Sequence, residues 1–406
     1  VPTQVGIASN WAFVSAKRLF SMAITTSGTL WAWGYNNDNQ LGLNDEINRN
    51  IPTQVGTATD WKMVATTEQF CIGIKTNGSL WSWGESVFGA LGQGNTYQLA
   101  VPTQIGTSTQ WKTVSLGSNH AFAITTAGTL WAWGYDNQSY TLGLGINYDY
   151  IKTPVQVGTA SNWDTVATLS SHTLAITTSG TLWAWGNNSN GQLGNPSVSN
   201  VNIPLQVGTE THWSSIATGS NFSIATTTSG TLWAWGDNYF GQLGLGDTNR
   251  RIQPTQVGLA THWQSISANE YYAAGLTNTG SLNTWGNNNY GQLGLANTTD
   301  QKVPNGLNCP SCVAVTTWDG TAWSNGLPDT TKNTIFEGNY TGVGFDACSI
   351  EVSPMANVVI NTAENLEILN QVNIATDATF TLENNTNLVQ ITDKINSGNA
   401  VVKRNS

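Results

Sequence analysis

Charge is what this chain has least of. Among 406 residues, Asp, Glu, Lys and Arg together make up 9 %, against about 25 % in an ordinary soluble domain. Asn, Thr, Ser, Gln and Gly supply the polar surface instead. There is no block of like charges and no apolar run near the ~20 residues that a membrane-spanning helix needs. The net charge is −10 and only 14 Lys and Arg are scattered along the chain. Phosphate binding needs clustered cations, so neither nucleic acid nor an anionic membrane is an expected partner. No Ser sits in a Gly-x-Ser-x-Gly elbow and no Gly-rich loop leads into a helix. The chain opens at Val1 without initiator Met or signal peptide, inside what proves to be a repeat, and so reads as a processed or trimmed product. Disorder is excluded in turn, because aromatics reach 10 % and each buries a large area.

What is abundant is tryptophan, and it recurs. "GTLWAWG" occupies 28–34, and close copies return at 78–84, 128–134, 180–186, 230–236 and 280–286. Pro2, Pro52, Pro102, Pro154, Pro204, Pro254 and Pro304 follow one another at 50, 50, 52, 50, 50 and 50 residues. Each unit reads as short strands: "PTQVG", "WAFVSA" (11–16), "LFSMAITT" (19–26) and "TLWAWG" (29–34), the last two joined by a tight turn at Ser27-Gly28. A period of two puts Leu30 and Ala32 on one face of the last strand and Trp31 and Trp33 on the other. Both faces are apolar, as a sheet wedged between two neighbouring sheets requires. Four strands per unit, repeated around an axis, is the pattern of a β-propeller, and the absence of a 3.6-residue period excludes a helical solenoid. The fold class is all-β. Trp33, Trp83, Trp133, Trp185, Trp235 and Trp285 are expected between blades.

"GTLWAWGDNYFGQLGLGD" (230–247) and "GSLNTWGNNNYGQLGLAN" (280–297) resemble the RCC1-type propeller repeat with its Trp-Gly-x-Asn-x-x-Gly-Gln-Leu-Gly core. The resemblance covers roughly 1–305. It implies a ring that usually has seven blades and is closed by strands from both chain ends. Six units are visible here, a seventh begins at "VPNG" (303–306) and then departs, and a seventh blade is expected if upstream chain contributes. Copies drift at "ESVFGALGQG" (85–94), where Ala90 replaces Gln, and at the longer "YDNQSYTLGLG" (135–145).

Few residues suggest chemistry. His120 and His172 stand where other copies hold Phe20, Phe70, Phe222 and Tyr272, a structural aromatic position; His212 and His262 precede Trp213 and Trp263 and are expected to be exposed. No two histidines have metal-ligand spacing with carboxylates, and "NNDNQLGLNDE" (36–46) lacks the ligand order of a calcium loop. No metal or cofactor is expected. Glu68 and Glu270 occupy equivalent turns but lie in separate units, a weak basis for acid–base catalysis, and no catalytic residue is assigned. Cys71 stands where other copies carry Ser, Ala or Thr, as a small buried residue would. The stretches after each Leu-Gly step share little between copies, as loops on one rim would. They carry Arg49, Tyr97, Tyr148, Tyr150, Arg250 and Arg251 as a candidate binding rim. Tyr35, Phe88, Tyr135, Tyr239, Phe240 and Tyr290 form a second set after the Trp-Gly.

The pattern changes near 307, which divides the chain into a propeller at 1–306 and a β-rich module at 307–406. Short strands such as "NVVI" (357–360), "VNI" (372–374) and "TFTL" (379–382), with Asn, Thr and Asp between, suit a small β-solenoid or sandwich. "TWDGTAWSNGLPDTT", "GNYTG", "ACSIEV" and "NLVQITDKINSGNAVVKR" resemble modules of long surface proteins of the Bacteroidota, exported by the type IX secretion system. That resemblance covers roughly 313–404. It implies a sorting domain beyond Ser406 and hence a truncated chain. A disulfide from Cys348 to Cys309 or Cys312 fits an oxidising exterior.

These features point to a non-catalytic interaction protein outside a bacterial cell or on its surface. It is expected to bind a protein or glycan through its rim loops and to meet secretion-system components during export. A secreted propeller-type inhibitor of an enzyme is the alternative. Nucleotide exchange, the role of the family's namesake, is less expected for an acidic chain.

Overall fold

Alternating apolar residues and glycine-closed turns give each repeat a four-stranded antiparallel sheet. In the first, β1 (Trp11–Lys17), β2 (Phe20–Thr25), β3 (Leu30–Gly34) and β4 (Arg49–Gln54) pair in chain order. Gly28 closes the β2–β3 turn with φ at 78°. A Cβ there would sit 2.3 Å from the Thr59 carbonyl oxygen, so the turn accepts no larger residue. Five more sheets repeat the arrangement at 61–104, 111–156, 163–206, 213–256 and 263–306. The computed structural model describes residues 10–136, 140–145, 149–295, 297–306, 314–325, 327–329, 332–342, 345–347, 349–361, 365–368, 372–382, 387–390 and 400–402. Its two compact units carry Val5–Leu307 and Asn308–Ser406.

The blade differs from the sequence unit in phase. The Pro-Thr-Gln segment opens each sequence unit, yet it hydrogen-bonds to the Trp strand before it, with Trp31 opposite Gln54 and Ala32 opposite Thr53. It closes its blade rather than starting the next. For the same reason 303–306, expected to begin a seventh unit, belongs to the outer strand of the sixth blade, with Thr284 opposite Asn305. The described residues form a six-blade propeller.

The first strands of consecutive blades touch and line the axis. One face of each blade then meets the next. Met22, Ile24, Leu30 and Val55 of blade one pack against Trp61, Val64 and Trp83 of blade two, and the same grouping recurs at all five consecutive junctions. Each buried Leu or Ile there contributes roughly 1.5–3 kcal/mol. Blade six meets blade one through an inner contact, in which Lys17 Nζ donates to Asn269 Oδ1 at 3.0 Å. Among the described residues, the flanks beside that contact are exposed. Val14 is 64 % exposed where its counterpart Val64 is 1 %, and Leu282 is 41 % exposed where Leu232 is 0 %.

The second unit is built from parallel pairs. Asn357 lies opposite Thr379 and Phe380 opposite Ala400, while Asn333 lies opposite Ser349 and Ile350 opposite Val372. Such stacking of successive coils is the solenoid alternative; a sandwich would pair its strands antiparallel. Phe336, Ile350, Val352, Val358, Ile360 and Phe380 fill its interior, each at most 1 % exposed. Trp318 and Trp323, with ring centroids 5.2 Å apart, pack against that core.

Candidate functional site

Antiparallel order sends the β1–β2 turn and the β3–β4 loop of every blade to one rim. The turns form the inner circle of that rim. Arg18 Nη1 pairs with Glu68 Oε2 at 2.6 Å across blades one and two. Lys17 is pulled down by burial, opposed by the charges of Glu270 and Glu68. Both candidate carboxylates thus face the same two cations, which makes them partners in a charge cluster. Ser171 Oγ donates to the Ser220 carbonyl at 3.1 Å and the Ser220 N–H to the Glu270 carbonyl at 3.1 Å, continuing the circle.

The β3–β4 loops form the outer circle, and one hydrogen-bonding scheme holds most of them. Asn36 accepts from the Leu41 N–H at 2.9 Å and donates to the Asp45 carbonyl. Asn188, Asn238 and Asn288 do the same toward Leu193, Leu243 and Leu293, and toward the carbonyls of Asn195, Asp247 and Asn297. A single carboxamide, buried at Asn36, Asn238 and Asn288 and partly buried at Asn188, therefore braces each end of its loop. The Gln-Leu-Gly that follows joins neighbouring blades. The indole N–H of Trp83, Trp235 and Trp285 donates to the Gln40, Gln192 and Gln242 carbonyls of the preceding blade at 3.0, 2.8 and 2.9 Å. Trp133 and Trp185 do so toward Ala90 and Thr141. The glycine is required for this: a Cβ on Gly42 would lie 2.9 Å from the Trp83 ring.

With six such sheets and this Trp-to-loop clasp in place, the family is decided by a model described as the RCC1-like domain, which matches residues 106–331. The chain belongs to the RCC1-like domain family. Regulator of chromosome condensation (RCC1) repeat models also match 27–74 and 77–124, and another matches 11–40. Residues 316–406 match a domain of unknown function, DUF8693. No curated protein matches the chain. In fold it is similar to human WBSCR16, at 22 % identity and a TM-score of 0.69, over 76 % of this chain and 84 % of that one. It is also similar to yeast RCC1 (Prp20) bound to Kap60, at 20 % and 0.66, over 73 % and 75 %. Prp20p from Saccharomyces cerevisiae gives 20 % and 0.64, over 73 % and 77 %. These likenesses concern fold.

On the RCC1-like rim the candidate residues separate. Arg49 gives its guanidinium to the Ile47 carbonyl and to Asp45, and Arg251 repeats this with the Asn249 carbonyl and Asp247. Both staple their own loops, and each holds its aspartate below the usual carboxylate range together with loop N–H groups. Arg250 reaches the Ser189 carbonyl of the blade before it at 3.3 Å. Tyr97 and Tyr239 are each 74 % exposed and Tyr290 is 93 % exposed. Tyr150 meets Phe88, which stacks on Tyr135 with centroids 4.4 Å apart. Tyr148, Cys309, Cys312 and Cys348 lie outside the described residues.

The histidines also divide. His120 Nε2 lies 2.7 Å from Thr168 Oγ1 and His172 Nε2 lies 2.8 Å from Ser223 Oγ, both rings buried. Burial lowers the first to about 4 and the second to about 3. His212 and His262 are exposed and stack on Trp213 and Trp263. Cys71 is buried, with its thiol donating to the Gln40 carbonyl at 3.4 Å. Among the described residues, no group of three His, Cys, Asp or Glu side chains is placed to hold a metal.

Proposed function

We propose that this RCC1-like propeller is a non-catalytic interaction protein that works at the cell exterior, binding a protein or glycan through the loops of one rim. The observation that carries it is the exposure of Tyr97, Tyr239 and Tyr290 on the β3–β4 loops of their blades, and of Tyr150 at the start of the outer strand of blade three. Large aromatics standing in water on a rigid scaffold cost solubility, and binding hot spots are where they are useful. The carboxylates with the best claim to catalysis, Glu68 and Glu270, sit beside Arg18 and Lys17. The resemblance of 313–404 to type IX secretion cargo supports an exported protein.

The test combines a glycan array with pull-down from surface extracts. A Tyr239→Ala, Tyr290→Ala, Arg250→Ala variant is expected to retain at least tenfold less partner than the parent, with an unchanged thermal melt. Equal retention by the variant would remove the rim from the binding face.

A further inference from the structure

Blades two and three, the two whose loops depart from the repeat, are neighbours, and a cavity lies between them. Where blades one, four, five and six place Asn36, Asn188, Asn238 and Asn288, blade two has Ser86. Its hydroxyl is too short to brace the loop. Ser86 is 1 % exposed and its Oγ has no hydrogen-bond partner. It lines a cavity of about 540 Å³ together with Glu85, Phe88, Thr96, Gln98 and the Tyr150 of blade three. A pocket of that size takes a small ligand, and a hydroxyl left unpaired in its wall calls for one with its own hydrogen-bonding groups.

The aromatic wall is fixed in place. Phe88 holds φ at 62°, a conformation that costs a non-glycine residue energy and that its described counterparts Asp38, Asn190, Phe240 and Tyr290 do not adopt. The result is a ring lying nearly parallel to Tyr135, interplanar angle 20°, with Tyr150 alongside. Charge narrows the class of ligand. Lys152 Nζ already sits 5.3 Å from the Tyr150 ring centroid, so a cationic ligand would meet a like charge. Glu85, held by the Gln69 amide, would repel an anion. Burial and the neighbouring Asp38 raise the Glu85 carboxyl, and its oxygens can accept hydrogen bonds from a guest's hydroxyls.

We infer that the cavity between blades two and three is a saccharide subsite, in which a neutral sugar ring stacks on Phe88 and Tyr150 and its hydroxyls bond Ser86 Oγ, Glu85 and Gln98. This rests on the rim being the binding face and names its ligand.

The experiment titrates the whole chain by calorimetry with neutral gluco-, manno- and galacto-oligosaccharides, and with choline as a cationic control. At least one saccharide should bind, and Tyr150→Ala should weaken it tenfold or more. Ser86→Asn restores the residue that blades one, four, five and six use, so it should fold at least as stably as the parent while also losing tenfold or more in binding. Leu259→Ala, an exposed side chain on the connection from blade five to blade six, should leave the affinity unchanged. Binding of no saccharide, tighter binding of choline, or full binding by Ser86→Asn would overturn the inference. A partner whose capture needs Tyr239 and Tyr290 but not Tyr150 would sink this subsite alone, whereas a rim that captures nothing would sink both proposals.

Discussion

Trp185→Ala is expected to destabilise the propeller by about 3–5 kcal/mol, whereas Trp33→Ala should cost only about 1–2 kcal/mol. The two residues are copies of one another in sequence. Trp185 is 0 % exposed, fills the junction of blades three and four with Phe122, Leu130 and Val157, and gives its N–H to the Thr141 carbonyl at 2.8 Å. Truncation would leave a cavity the size of an indole and remove a donor from a buried carbonyl that keeps only the Thr173 hydroxyl, at 3.0 Å. Trp33 is half-buried on the open flank of blade one. Gly143→Ala should approach the larger loss by a different route, since its Cβ would fall 2.6 Å from Trp185 Nε1 at a φ of 68°. Urea midpoints of the three variants check this; equal losses at Trp185 and Trp33 would refute the clasp as the source of inter-blade stability.

The second large effect concerns acid. Above pH 6.5 both states of His120 and His172 are neutral and the two residues contribute nothing pH-dependent. Below 6.5 the unfolded chain takes up protons that the folded rings refuse, and the loss accumulates down to about 4 for His120 and about 3 for His172. The full loss is on the order of 3–5 kcal/mol for each residue. Asp45 and Asp247, lowered in the fold, release their own stability only below the ordinary carboxylate range. Glu85 and Asp136, raised in the fold by burial, act in the opposite sense to the histidines as pH falls, so a loss of stability between 6.5 and 5 comes from the histidines. A His120→Phe, His172→Phe variant, carrying the residue other blades use there, should melt no lower at pH 5 than at pH 7, while the parent melts distinctly lower at pH 5. A parent melt that does not move between these values would contradict the burial of uncharged rings.

Much of this was legible in the residues. Two apolar faces on the Leu-Trp-Ala-Trp strand demand a neighbour on each side, and six copies demand a ring. Phase was not legible, because a periodic pattern fixes spacing but leaves open which strand begins the unit; the Trp31–Gln54 pairing decides that. Nor did short strands separate solenoid from sandwich, since strand length is silent about whether neighbours run parallel. Arg49 and Arg251 suited a binding rim by residue type, but an acidic partner four positions earlier, Asp45 or Asp247, takes each of them. The cavity left a trace in Ala90 and the lengthened 135–145 loop. Its wall required Phe88 and Tyr150 to meet across chain segments that share no local pattern.

The open flanks between blades six and one have a thermodynamic consequence. In a repeat array, stability is close to a sum of unit terms and nearest-neighbour terms. Blades two to five each have two neighbour terms, while one and six have a single term apiece beyond the Lys17–Asn269 bond. Hydrogen exchange should therefore spread inward from the seam, with amides of β1 and of Leu282–Gly286 exchanging before those of blades three and four. The propeller is a ring in outline and a line in its cooperativity.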